Sequence, residues 1–139
     1  MKVLSDTMSF TTAGFNDMID ITPQVSHKLA EKGLKNGTVT LFVPGSTAGF
    51  TTIEYEPGLV QDFAEFMEKI IPSDAPYHHD ARWGDGTGFS HVRSALIGPS
   101  LTIPFSNGQL TLGTWQQIVF VDFDNRARNR TIALQFMGE

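Results

Sequence analysis

The sequence predicts an α+β fold: mostly antiparallel or mixed β-sheet layers with two main helices, in a single compact domain covering residues 1–139. Three observations predict it. Two segments combine helix start and stop residues with apolar spacing of three and four. Short β-prone runs recur between Gly, Pro and Asn breaks, and an Asn-Gly pair separates two apolar runs late in the chain. A length of 139 residues with 40% hydrophobic content suits one ordinary domain that buries roughly two-thirds of its unfolded surface.

Taken in order, Met8–Thr12 reads as a short strand closed by Ala13-Gly14. Asp20-Ile21-Thr22-Pro23 opens a helix, with Thr22 as N-cap and Pro23 at the first helical position, where a missing N–H costs nothing. Val25 and Leu29 share one face of it, and Gly33 supplies the stop. The run Thr38–Val43 is so β-prone and apolar that it predicts a central strand covered on both faces. Pro44-Gly45 ends that run, and Thr51–Tyr55 resumes β character. From Pro57 to Ile71 a wide apolar stripe (Leu59, Val60, Phe63, Met67, Ile71 and neighbours) opposes Asp62, Glu65, Glu68 and Lys69, and Pro72 terminates the helix. His91–Ile97 predicts a short helix ending at Gly98-Pro99. Ser100–Phe105 and Gln109–Leu112 flank Asn107-Gly108, a strong hairpin signal. Trp115–Asp124 and Arg130–Met137 predict a second antiparallel pair around the polar turn 125–129.

Composition narrows the function. A net charge of -5 argues against nucleic acid or an anionic membrane as partner, since both need a basic surplus. With no cysteine there is no disulfide framework, thiolate nucleophile or Cys-type zinc site. The first residues carry no apolar signal region and no 18-residue apolar run occurs, so the expected compartment is the cytoplasm. Serine-hydrolase, zincin, P-loop and dinucleotide motifs are all missing.

Chemistry concentrates between Tyr77 and Arg93, which hold three of the four histidines, Asp80, Asp85, Trp83 and a run of glycines. His79 and His91 stand twelve residues apart across this loop. Brought together, two imidazoles can hold a divalent metal with a third ligand from Glu54 or Asp80, or perform acid/base work; alternatively they tie the loop to the sheet. His78 is directed elsewhere, and His27 lies on a solvated helix face. The loop Pro44–Gly49 offers backbone N–H groups and the Ser46 and Thr47 hydroxyls to an anion such as phosphate, or is a tight connection between strands. Trp115 can wall a pocket and the Gln116 amide can orient a ligand, although core packing would also account for the indole. Arg126, Arg128 and Arg130 read as a small basic cluster in a solvated turn, with contact to an anion as the second reading.

These residues resemble a known group. The run Thr38–Gly49, Glu54, Tyr77-x-His79-Asp80, His91-x-Arg93 through Pro104, and Leu112-Gly113-Thr114-Trp115-Gln116 are similar to the YjbQ family, also called the secondary thiamine-phosphate synthase family, and to its archaeal-type branch. The resemblance implies a small α+β domain assembling as a homotrimer, with a polar pocket near subunit boundaries. It implies weak thiamine-phosphate synthase activity, joining a pyrimidine methyl diphosphate to a thiazole phosphate, with the physiological role not established. Carried over onto this chain, Glu54, His79 and His91 are the catalytic candidates. Ser46, Thr47, Arg93, Trp115 and Gln116 are the substrate-binding candidates, and His79 with His91 is the metal pair, for Mg or Zn. Many members have histidine where this chain has Gly45, and the archaeal-type branch often has one at Phe89. Losing a ligand weakens a zinc site, which usually keeps three protein ligands. Two further readings follow: a non-catalytic trimeric module binding a small anionic ligand, and a metal-dependent hydrolase.

Overall fold

The strand Gln117–Asp122 shows how the domain is layered. It reads Gln-Ile-Val-Phe-Val-Asp, and Ile118, Val119, Phe120 and Val121 are all sealed from solvent. Because side chains alternate across a strand, a run this apolar must be covered on both faces. Ile118 and Phe120 enter a core of 17 buried residues; Val119 and Val121 enter a second core of seven. At about 1.5–3 kcal/mol for each fully buried large apolar side chain, this strand is a principal source of stability.

A computed structural model describes Met1–Glu139. In chain order the elements are β1 (Lys2–Thr12), β2 (Asp17–Asp20), α1 (Thr22–Lys32), β3 (Gly37–Phe42), β4 (Ala48–Ile53), α2 (Pro57–Ile70), α3 (His78–Trp83), α4 (Gly88–Ile97), β5 (Ser100–Ser106), β6 (Gln109–Leu110), β7 (Gln117–Asp122) and β8 (Arg128–Gly138). They form one five-stranded sheet, β1-β8-β3-β5-β6, and one three-stranded sheet, β2-β7-β4. Every pairing is antiparallel. The larger core lies between the two sheets and takes Val25 and Leu29 from α1. Phe120 is its hub, edge-on to Phe10 and Phe50 at centroid distances of 5.0 and 5.4 Å. The smaller core lies on the opposite face of β7, under Met67 of α2 and Phe89 of α4. The α+β class is therefore correct, and the second core sets the position of α4, on which the histidine chemistry depends.

Several expectations need correction. The strand covered on both faces is β7, not β3. In β3, Val39 and Leu41 are buried while Phe42 is 45% exposed, because the outer face of the large sheet carries polar pairs such as Thr40 with Thr102 and meets solvent. Trp115–Asp124 and Arg130–Met137 do not pair with each other: β7 lies between β2 and β4, and β8 between β1 and β3. The turn 125–127 is the crossing between sheets. Thr22 is the first helical residue rather than the cap; its hydroxyl accepts from the Ile118 N–H at 2.8 Å, tying α1 to β7. Six residues of β1, all of β2 and all of α3 lie outside the predicted elements. The Asn107-Gly108 hairpin is present, with positive φ at both residues, as a two-residue turn of this kind requires.

Candidate functional site

The site is built by the sharp turn between α3 and α4. Gly84 (φ 70°) ends α3 in the left-handed conformation, and its N–H bonds the Asp80 carbonyl at 2.8 Å. The Asp80 carboxylate then accepts the Gly88 N–H at 2.8 Å, holding the first turn of α4. Gly88 must be glycine, since a Cβ there would stand 2.5 Å from Tyr77 Cβ. Asp85 closes the turn between them, accepting the Thr87 N–H at 3.2 Å and its hydroxyl at 3.0 Å. Two short helices are thus clamped side by side, and the clamp brings together histidines twelve residues apart.

The His79 and His91 rings lie 4.5 Å apart between centroids, tilted by 46°. His91 Nδ1 donates to the Ser46 carbonyl at 3.1 Å. A carbonyl only accepts, so the Nδ1 proton is fixed and neutral His91 leaves Nε2 as a lone-pair nitrogen for a proton or a metal. His79 Nδ1 lies 3.4 Å from Asp80 Oδ1 and 3.4 Å from Asp85 Oδ1. The Asp85 carboxyl is held below the usual carboxylate range, first by the Thr87 N–H, against the opposing effect of burial, with help from the Thr87 hydroxyl and His79. It is therefore anionic wherever the domain is folded near neutral pH.

One donor atom each from His79, Asp80 and Asp85 lies within 4.8 Å of the others. Ligands of a tetrahedral ion with bonds of 2.0–2.1 Å stand about 3.3–3.4 Å apart, which matches the 3.4 Å spacings around His79 Nδ1. The mixed nitrogen and carboxylate set fits Zn²⁺ better than Mg²⁺, which prefers an octahedral shell of oxygens. Such an ion would replace the Nδ1 proton.

Behind the imidazoles lies a buried ionic network. The Arg130 guanidinium grips Asp122 with two bonds, Nε to Oδ2 at 2.7 Å and Nη2 to Oδ1 at 2.8 Å, and Nη2 also donates to Thr47 Oγ1 at 2.9 Å. The Thr12 hydroxyl and the Asp124 N–H complete the shell around Asp122. Burial pushes the Asp122 carboxyl up, yet Arg130, Thr12 and the Asp124 N–H outweigh it and hold the group below its ordinary value. The network reaches both imidazoles. Thr47 is bonded through its chain to Ser46, which orients His91; Asp124 precedes Asn125, whose amide donates to the Asp85 carbonyl at 2.9 Å. A hollow of about 290 Å³ lined by Asp85, Thr87, Asp124, Asn125 and Arg126 opens here. A larger cavity of about 590 Å³ between β1 and α1 holds His27 but neither His79 nor His91; the smaller one matters more, because it touches the chemistry.

The predicted residues divide into two groups. His79, His91 and Ser46 meet. Thr47 is adjacent but turned inward, 8% exposed and bonded to Asp124 and Arg130. Arg93 is not available to a phosphate: it is 1% exposed and spends its donors on the Ile71 carbonyl, Glu68 and Asn16. It is the peg that fixes α4 to α2, stacked over Phe89 at 4.9 Å. Glu54 is exposed beyond β4, and the hydrogen-bond and ion-pair partners of His79 and His91 are Asp80, Asp85 and Ser46, not Glu54. Trp115 sits in the turn before β7, 72% exposed, so it walls no pocket within one subunit. Gln116 braces that turn, accepting from the Gly113 N–H and donating to Thr52 Oγ1. Arg130 is no solvated turn residue but 7% exposed in β8. Asp122 and Asp124 lie outside the sequence-predicted candidates; two carboxylates at the end of so apolar a run are the signal for a buried cation, and Arg130 supplies it.

A single α+β domain whose paired helices present two imidazoles and two carboxylates on one face is the class these elements define. Within that class, this chain belongs to the UPF0047 YjbQ-like family, whose model matches residues 6–139. A UPF0047 protein of Methanothermobacter thermautotrophicus is 37% identical over 139 residues, covering 100% of this chain and 95% of that protein. YugU of Bacillus subtilis is 34% identical over 133 residues, covering 95% and 98%. A crystal structure of a YbjQ-like protein of unknown function from Sulfolobus solfataricus superimposes with a TM-score of 0.93 at 30% identity, over 99% of both chains. No helix here is long and apolar enough to cross a membrane.

Proposed function

We propose that this chain is a small cytoplasmic enzyme that works as a homotrimer on a phosphorylated small molecule, with weak thiamine-phosphate synthase activity. The observation that carries the reading is the ring contact of His79 and His91 at 4.5 Å, with His91 Nε2 left free by the Ser46 carbonyl. Facing imidazoles form an acid/base pair. In the proposed reaction the thiazole nitrogen bonds the pyrimidine methylene carbon as the carbon–oxygen bond to diphosphate breaks, its electron pair leaving with diphosphate. A protonated imidazole of the pair donates to the departing oxygen. A divalent metal held by His79, Asp80 and Asp85 would neutralise diphosphate charge.

The homotrimer is supported by apolar surface beside the site. Val92 and Leu96 on α4, and Phe66 and Ile70 on α2, are 45–60% exposed at i, i+4 spacing, and apolar surface gathered this way marks an interaction face. In a trimer, Trp115 and Gln116 would serve a neighbouring subunit's pocket, which gives the exposed indole a use. The test is His91→Ala assayed with the two thiamine half-substrates. Turnover should fall at least 100-fold while the thermal melt stays nearly unchanged. A large loss of stability, with turnover per folded molecule intact, would instead make His91 a structural residue.

The three donors within 4.8 Å at His79 favour metal-dependent hydrolysis as a second reading. Metal-free protein that regains phosphoester hydrolysis on adding Zn²⁺ or Mn²⁺, and loses it in His79→Ala, would select that reading over the synthase.

A further inference from the structure

Arg130 has an unused end. Its Nε and Nη2 are committed to Asp122 and Thr47, but Nη1 has no hydrogen-bond partner in the chain, although the residue is 7% exposed. What stands over Nη1 is Gly45: a Cβ built there would lie 3.5 Å from it, and the only other near atom is Val43 Cγ2 at 3.8 Å. The missing side chain is a window in an exposed loop. The two residues that follow Gly45 carry unspent donors. The backbone N–H groups of Ser46 and Thr47 bond nothing in the chain, and the Ser46 hydroxyl is likewise free, on an exposed residue. On the far side of Ser46, its carbonyl holds His91.

We infer that the Gly45 window is an oxyanion subsite in which Arg130 Nη1, with the Ser46 and Thr47 donors, takes a phosphoryl or carboxylate oxygen of the molecule handled by the imidazoles. The inference rests on reading the His79–His91 face as a site for a small phosphorylated molecule, and it gives the cationic contact to Arg130 instead of Arg93. The charge balance shapes what the subsite does. Asp122 and Asp124, the latter 3.8 Å from Nη2, offset the cationic charge of Arg130 and of Arg128, which bonds Asp124. The subsite therefore recognises its ligand by directed N–H donors more than by net charge. A guanidinium already locked by Asp122 loses little freedom on binding.

Titrating the intact protein with inorganic phosphate, followed by amide and imidazole NMR signals, tests this, with acetate as the carboxylate arm. Phosphate should shift Ser46, Thr47 and His91; acetate shifting the same signals more strongly than phosphate assigns the subsite to carboxylates. At Gly45 an added Cβ makes only ordinary contacts, at 3.5 and 3.8 Å, and the residue is exposed, so Gly45→Leu should fold, a melt checking this, and its longer side chain should close the window. It should weaken binding of the preferred anion at least tenfold, with Gly45→Ala intermediate. Arg130→Lys, which keeps a cation for Asp122 but has no Nη1, should weaken it similarly. Gly45→Leu binding both anions within twofold of the unaltered protein, or shifts confined to other regions, would overturn the inference. The two readings fail separately. Loss of turnover in His91→Ala with unaltered anion binding in Gly45→Leu removes the subsite alone. The reverse pattern removes the imidazole reading alone.

Discussion

Two guanidiniums are buried in this domain, and the difference between their surroundings separates structure from function. Arg93 makes four hydrogen bonds, including two to one backbone carbonyl, at the seam between α2 and α4. Its carboxylate partner Glu68 is half exposed and is held below its usual range mainly by the Ser73 N–H. Arg130 makes three bonds, and its carboxylate partner Asp122 is fully sealed. One cation is nearly saturated and faces a solvated anion; the other balances a buried anion and keeps one nitrogen uncommitted beneath a glycine. Of the five donors each guanidinium carries, those left over decide what else it can do.

Substitutions can break or sharpen that contrast. The largest effect belongs to Arg130→Met, which strands the Asp122 carboxylate in a site sealed from solvent. Removing one partner of a buried pair costs about 3–5 kcal/mol, to be measured by denaturant unfolding. Arg93→Met should cost less, about 3 kcal/mol at the lower end of that range, because Glu68 can turn to solvent and only the Ile71 carbonyl and the cavity remain. If Arg93→Met proves the more damaging, the assignment of the two roles is inverted. Gly88→Ala comes next: its Cβ must displace Tyr77 at the start of α3, costing about 1–3 kcal/mol and pulling His79 off His91, read as a loss of affinity for Zn²⁺ or phosphate.

The pH dependence sharpens the same contrast. Asp122 has a folded value below its unfolded one, so its contribution is fully present above the ordinary carboxylate range and is lost as pH falls through the lowered value. Thermal melts should be flat near neutrality and fall in acid. In Arg130→Met the acid fall should be shallower, since a stranded carboxylate gains by taking a proton. The smallest effect is expected for Trp115→Ala, under about 0.5 kcal/mol in the isolated subunit, as the indole is 72% exposed. A marked loss of assembly without loss of subunit stability would place that indole at an interface.

What the sequence made legible follows the range of its signals. Local signals worked: Pro57 and the apolar stripe mark α2, Asn107-Gly108 marks the hairpin, and the density of chemistry between residues 77 and 93 marks where His79 and His91 meet. Signals that depend on partners far along the chain did not. Nothing local tells β7 that it joins β2 and β4 instead of β8, because an antiparallel strand reads alike in either sheet. Arg93 and Arg130 carry the same side chain, and only tertiary burial makes the first a peg and the second a partner of Asp122. α3 was hidden because its six residues include no buried one, so it has no apolar periodicity to read; its form comes from Gly84 and the Asp80 clamp.

The most direct test of the central arrangement is side-chain NMR of the histidine rings in the intact protein. A ring-to-ring cross-peak between His79 and His91 should appear, and neutral His91 should carry its proton on Nδ1. No such cross-peak, with the proton on Nε2, would contradict a shared site.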